Sequence, residues 1–204
     1  MIRHLRRACI VIARLSLGAL SVVVLSALVV TPASAASNNL RFLDFFRLVN
    51  ANTPPTECLA IPAHSSANGT GAIQWPCESS SDQGWAIYVD ESYPIPVVYD
   101  RDGNPVPEPT VELVNISSNK CLADPAGSPN PVQLIQWTCN NGNEQRWQML
   151  ANHPDISTGF WQFKNIKSHL SMAVSQASHM NGAHVIQWPF EDNDEQVWSL
   201  ASTS

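Results

Sequence analysis

Three pairs of tryptophans, each pair ten residues apart, constrain this chain more than any other feature: Trp75 and Trp85, Trp137 and Trp147, Trp188 and Trp198. The first member of each pair lies in Gln74-Trp75-Pro76-Cys77, Gln136-Trp137-Thr138-Cys139 or Gln187-Trp188-Pro189-Phe190. The second closes Gln83-Gly84-Trp85, Gln145-Arg146-Trp147 or Gln196-Val197-Trp198. Upstream, each copy has a short apolar run ending in Asn50, Asn115 or Asn165. Then follow Cys58-Leu59-Ala60, Cys121-Leu122-Ala123 and Ser171-Met172-Ala173, which stand 17, 16 and 17 residues before the first tryptophan. A unit of roughly forty residues occurring three times predicts a repeat architecture in which the units share one core.

Within a unit, short and mainly alternating apolar segments are separated by Gly, Asn, Ser and Pro, which predicts several short strands. No helical apolar stripe of useful length runs through residues 36–204. The fold class is therefore all-β. A sandwich competes, but threefold repetition within one domain favours a closed barrel with a cap, a β-trefoil of units at about 46–89, 111–150 and 160–204.

Residues 1–35 read differently. Arg3, Arg6 and Arg7 precede an apolar run from Leu15 to Val30, and Ala33-Ser34-Ala35 follows, the pattern of a secretory signal peptide. The run is short of the ~20 residues a spanning helix needs. Cleavage would leave 36–204, long enough for one domain with a real core. It would remove four of the 11 basic residues and none of the 17 acidic ones, taking the formal charge from −6 to −10. So acidic a surface argues against nucleic acid and anionic membranes as partners, and no membrane insertion is expected after cleavage.

Of the five cysteines, Cys9 belongs to the leader. The other four allow three pairings, and the repeat selects Cys58–Cys77 and Cys121–Cys139. The third unit has Ser171 and Phe190 at those places, so both partners are missing together. Each closed loop is worth roughly 3 kcal/mol by loop-closure entropy. Such bonds persist in an oxidising, extracellular compartment.

Between the first two units the spacing grows by about twelve residues relative to the next junction, a stretch rich in proline. Residues 93–110 place Asp100-Arg101-Asp102-Gly103-Asn104 between Val97-Val98-Tyr99 and Pro105-Val106, a turn signal in a protruding loop or small hairpin. It is either a tolerated insertion or the docking place of a protein partner.

Three ordered Gln-x-Trp motifs, each preceded by Trp-x-Cys or its remnant and by Cys-Leu-x or Ser-Met-x, resemble the ricin B-type lectins, grouped with the family 13 carbohydrate-binding modules. The resemblance covers about 46–204 apart from the proline-rich insertion. It implies that Trp85, Trp147 and Trp198 pack around a pseudo-threefold axis, with Gln83, Gln145 and Gln196 tying turns to backbone. It also implies one shallow sugar pocket per unit, floored by Trp75, Trp137 and Trp188. The family's acceptor Asp is absent, replaced by Ala60, Ala123 and Ala173. Just before each Gln-x-Trp glutamine stands an acid instead, Asp82, Glu144 or Glu195. Either the acceptor has moved to the opposite wall or these are solvated turn residues. Asp124 gives the second unit a further candidate acceptor.

Catalysis finds no motif. The histidines are scattered, His179 and His184 stand five apart with no helix to align them on a metal, and no cofactor or metal site is implied. Asn68-Gly69-Thr70 and Asn115-Ile116-Ser117 match the N-glycosylation pattern. The expected function is a secreted, non-enzymatic glycan-binding module acting through several weak pockets. The alternative is a trefoil with decayed sugar sites serving as a protein-interaction or toxin-accessory subunit. Counting acceptors and disulfides ranks the pockets Trp137, then Trp75, then Trp188.

Overall fold

The computed structural model describes residues 39–52, 56–100, 102–151 and 159–203. The expected signal peptide, Arg101 and His153 lie outside them. Fourteen strands and several single 3-10 turns make up the described chain. In order they are β1 (Leu40–Asn50), β2 (Glu57–Ala60), β3 (Ile73–Pro76), β4 (Trp85–Asp90), β5 (Val97–Tyr99), β6 (Pro105–Pro107) and β7 (Thr110–Asn115). Then come β8 (Cys121–Ala123), β9 (Ile135–Trp137), β10 (Trp147–Ala151), β11 (Phe160–Asn165), β12 (Ser171–Val174), β13 (Val185–Trp188) and β14 (Trp198–Ser202).

Six of these strands close a ring: β1 pairs with β4, β4 with β7, β7 with β10, β10 with β11, β11 with β14, and β14 back with β1. Six more form three hairpins, β2–β3, β8–β9 and β12–β13, one per unit. A six-stranded barrel capped by three hairpins is the β-trefoil. The hairpins meet at the axis through backbone bonds that run in a triangle. Ala72 N donates to Leu134 O (2.8 Å), Leu134 N to Val185 O (2.9 Å), and Val185 N to Ala72 O (3.0 Å).

The core follows the repeat. Trp85, Trp147 and Trp198 are fully buried, with Leu59, Leu122 and Met172 packed among them. Each indole N–H donates to the backbone carbonyl of that unit's own Leu or Met: Trp85 to Leu59, Trp147 to Leu122, Trp198 to Met172. Burial of a tryptophan is tolerated where its N–H finds such an acceptor. Leu48, Ile87, Leu113, Met149 and Phe163 fill the rest of the barrel.

Outside the barrel, β4 and β7 are covered as well. Phe42 meets Phe45 and Tyr88 in tilted ring contacts at centroid distances of 4.9 and 5.4 Å. Beside them Arg146 is buried between Asp90, at 2.6 Å, and Glu112. A buried arginine is tolerated when paired on both sides. Strand β1 begins at Leu40, six residues before the expected start of the first unit at about 46, with a register shift between Phe42 and Asp44. The proline-rich insertion forms the separate β5–β6 hairpin, its turn held by Asp100, which accepts from the N–H groups of Asp102 and Asn104.

Candidate functional site

Each unit presents one open cavity where its hairpin meets the 3-10 turn that leads into the Gln-x-Trp tryptophan. The pairing that builds the hairpin sets the walls: Ala60 opposite Ile73, Ala123 opposite Ile135, Ala173 opposite Ile186. Two residues on, and so on the same face of the strand, stand Trp75, Trp137 and Trp188, which are 41%, 43% and 41% exposed. The acids come from the turns Ser81–Gln83, Asn143–Gln145 and Asp194–Gln196. Thus the first cavity, of about 270 Å³, joins Trp75 and Asp82. The second, about 380 Å³, joins Trp137, Asp124 and Glu144. The third, about 350 Å³, joins Trp188 and Glu195.

The turns that carry the acids are tied down in the same way three times. Gln83, Gln145 and Gln196 are buried and reach back to backbone. Each amide N–H donates to the carbonyl seven residues earlier (Pro76, Thr138, Pro189). Each amide oxygen accepts from the N–H five residues earlier (Glu78, Asn140, Glu191). The carbonyls of the acids themselves accept from asparagines of the following unit: Asp82 from Asn115, Glu144 from Asn165, and Glu195 from Asn50. Asn115 is wholly buried by this role, so it offers no glycosylation acceptor; Asn68 is exposed.

Between each Ile and Trp of the hairpin, the glutamine points the other way. Gln74, Gln136 and Gln187 are buried and donate to loop carbonyls of a neighbouring unit: Ser178 and Met180, Ser65 and Ala67, Ser128 and Asn130. Their recurrence is visible in the sequence, but their reach across units is not.

The carboxylates differ in surroundings. Asp82 is 16% exposed at the side chain and has His64 Nδ1 at 3.9 Å. Glu144 accepts from Asn140 Nδ2 (3.1 Å) and has Lys167 Nζ at 4.0 Å. Asp124 is only 1% exposed. It occupies the place held by the fully buried Ile61 in unit one and by Val174 in unit three. Its Oδ1 accepts from Ser128 N (3.1 Å), while Oδ2 has no hydrogen-bond partner. Burial pushes its carboxyl up to about 6, against the pull of the Ser128 N–H and Lys167.

The two disulfides, Cys58–Cys77 and Cys121–Cys139, brace the hairpins of units one and two. In unit three, Ser171 Oγ is buried without a partner and Phe190 is half-exposed. Glu112 lies close to Cys121 and Cys139, but the sulfurs are bonded to each other and offer no thiolate to a metal.

A family model described as "Ricin-type beta-trefoil lectin domain" matches residues 109–204, that is units two and three. No curated protein sequence matches the chain. Among solved structures, the designed threefold-symmetric protein ThreeFoil is similar at a TM-score of 0.61 and 24% identity, over 78% of this chain and 98% of that one. An exo-beta-1,3-galactanase from Clostridium thermocellum gives a TM-score of 0.61 at 23% identity; the match covers 78% of this chain but 30% of the galactanase. The C-terminal half of an earthworm R-type lectin, solved with GalNAc, gives 0.53 at 13% identity, over 78% and 99% of the two chains. At these identities the likeness carries the fold.

Proposed function

We propose that this chain, a ricin B-type β-trefoil, is a carbohydrate-binding protein that takes glycans in its three tryptophan-floored cavities. The observation that carries the reading is the contrast between the two tryptophans of each unit. One is sealed in the core with its N–H satisfied, while the other stands about 40% exposed on a cavity wall. A half-exposed indole beside a carboxylate is the chemistry that a pyranose needs. The C–H face of the ring stacks on the aromatic surface, and its hydroxyls donate to the acid. The match of units two and three to the ricin-type lectin family model supports the same reading, as does the repetition of the arrangement in all three units.

The acids take over the role left by the alanines. Ala60, Ala123 and Ala173 offer a methyl group where the family offers a carboxylate, whereas Asp82, Glu144 and Glu195 line the same cavities from the 3-10 turns. Binding in each cavity is shallow and weak, and affinity for a polymer comes from simultaneous occupation. No catalytic step is invoked; the protein binds and presents. The two disulfides fit export from the cell, in line with the leader-like residues 1–35.

A glycan array probed with residues 36–204 tests this directly. Binding to at least one glycan class that is lost in the triple variant Trp75→Ala, Trp137→Ala, Trp188→Ala is expected. Binding that survives the triple variant would sink the pocket assignment, and the absence of any glycan would sink the function.

A further inference from the structure

Each cavity has two rim positions from which a basic side chain can face its carboxylate, and the three units use them differently. In unit one the first position is His64, with φ of 50°, and its ring lies 3.9 Å from Asp82. In unit two that position is Gly127, with φ of 62°. Its missing side chain leaves room for Lys167: a Cβ there would sit 2.4 Å from Lys167 Cε. Lys167 comes from the second position, two residues after Asn165 in the following unit, and its Nζ lies 4.0 Å from Glu144. In unit three the two positions are Ala177, with φ of 48°, and Asn52, two residues after Asn50. Asn52 donates to the Ala177 carbonyl (2.9 Å), so the backbone arrangement is kept while both basic side chains are gone. Among the described residues Glu195 takes part in no ion pair, and residues 53–55, which lie outside them, include no basic side chain.

Unit three therefore keeps the carboxylate and the half-exposed Trp188 but leaves the counter-charge to whatever binds. The rest of the lining is uncharged: Ala173, Val174, Ser175, Gln176, Ala177 and Ile186. A cation brought to this place gains from the carboxylate in a partly enclosed, low-dielectric setting and from the face of the indole. We infer that the third cavity is the subsite for an amino-sugar residue of a glycan, its ring stacked on Trp188 and its ammonium set against Glu195. The first and second cavities, whose carboxylates already face the basic side chains of His64 and Lys167, take uncharged rings. This rests on the carbohydrate-binding reading above. A lysine side chain would bring the same charge but no ring face for the indole.

The test is calorimetric titration of the full chain with β-1,4-linked glucosamine oligomers and with their N-acetylated counterparts of equal length. It is run at constant ionic strength and at a pH where the amine is protonated. The free-amine oligomer should bind about tenfold or more tightly than the acetylated one. Glu195→Gln should bring that ratio close to one, and so should Ala177→His, which installs the residue of unit one on a backbone of the same conformation. Equal affinities of the two oligomers would overturn the inference while leaving the carbohydrate-binding reading standing. So would a charge-matched oligolysine that binds with the same sensitivity to Trp188→Ala. If no glycan of either kind binds, the carbohydrate-binding reading falls with it.

Discussion

Trp147 and Trp137 are the same residue ten positions apart, and their fates differ because one sits where three units converge. Trp147 is fully buried and donates to Leu122, whereas Trp137 is 43% exposed. Trp147→Ala should cost about 3–5 kcal/mol, as for other buried aromatics, and Trp137→Ala less than about 1 kcal/mol. Equal losses in chemical denaturation would mean that floor and core have been confused. That distinction was implied by the family resemblance, which gives each tryptophan of the repeat its own role. The setting of Asp124 was not, because an acid beside a cavity reads as an exposed acceptor. Only its equivalence to Ile61 and Val174 betrays a core position. Its carboxyl is held at about 6 against an ordinary 3.8. The folded state thus binds the proton more tightly than the unfolded one. Its contribution to stability is full below about pH 4 and is lost as the pH rises through about 6. Asp124→Asn keeps an oxygen for the Ser128 N–H and removes the charge. It should leave stability unchanged near pH ~4 and raise it by on the order of 2 kcal/mol near pH ~7.5. A gain of the same size at both pH values would exclude the buried charge as its cause.

At the level of the element, the hairpins were legible and the ends of strands were not. The alternating Val97-Val98-Tyr99 and the Asp100 turn announce β5–β6, and the structure contains that hairpin. Leu40 to Phe45 fall before the expected first unit because nothing local says what they pair with. They are strand because β4 extends beside them, from Arg41 opposite Val89 to Phe45 opposite Ala86. The third hairpin tests the role of the disulfides. Ser171 and Phe190 are 19 residues apart, the same separation as Cys58 and Cys77. Replacing both by cysteine should close a bridge that stabilises by up to about 3 kcal/mol, and it also removes the buried, unpartnered Ser171 hydroxyl. Thiol titration before and after reduction reads whether the bond forms, and a free thiol pair with no gain in stability would show that β12–β13 has a different geometry from its counterparts.

For the molecule as a whole, threefold order was legible from six tryptophans, but the ties between units were not. Gln74 donates to Ser178, 104 residues away, and no local pattern reports such a partner. Those ties place the cavities in a common frame, which makes their relative strengths measurable. For an uncharged glycan, Trp137→Ala should weaken binding more than Trp75→Ala, and Trp75→Ala more than Trp188→Ala. Units one and two hold their walls with disulfides, and the second has the roomier cavity, about 380 Å³ against 270 Å³. Calorimetry on the three variants checks the order, and a dominant Trp188 with a neutral ligand would reverse it.

The pairing of β1 with β14 has a consequence for how the chain is born. Arg47 lies opposite Ala201 and Asn50 opposite Trp198, so the ring cannot close until its last strand has been synthesised. Until then β1 waits with one bare edge, and strand pairing over such a span is slow. The disulfides obey a different clock, because each joins cysteines only 19 or 18 residues apart inside a single unit. Units one and two can therefore be locked while the barrel is still open, and unit three, with no lock of its own, completes the molecule by docking. In pulsed hydrogen exchange, protection of β1 against β14 should arise late and together with that of β11; early protection of that seam would mean that closure does not wait for the third unit.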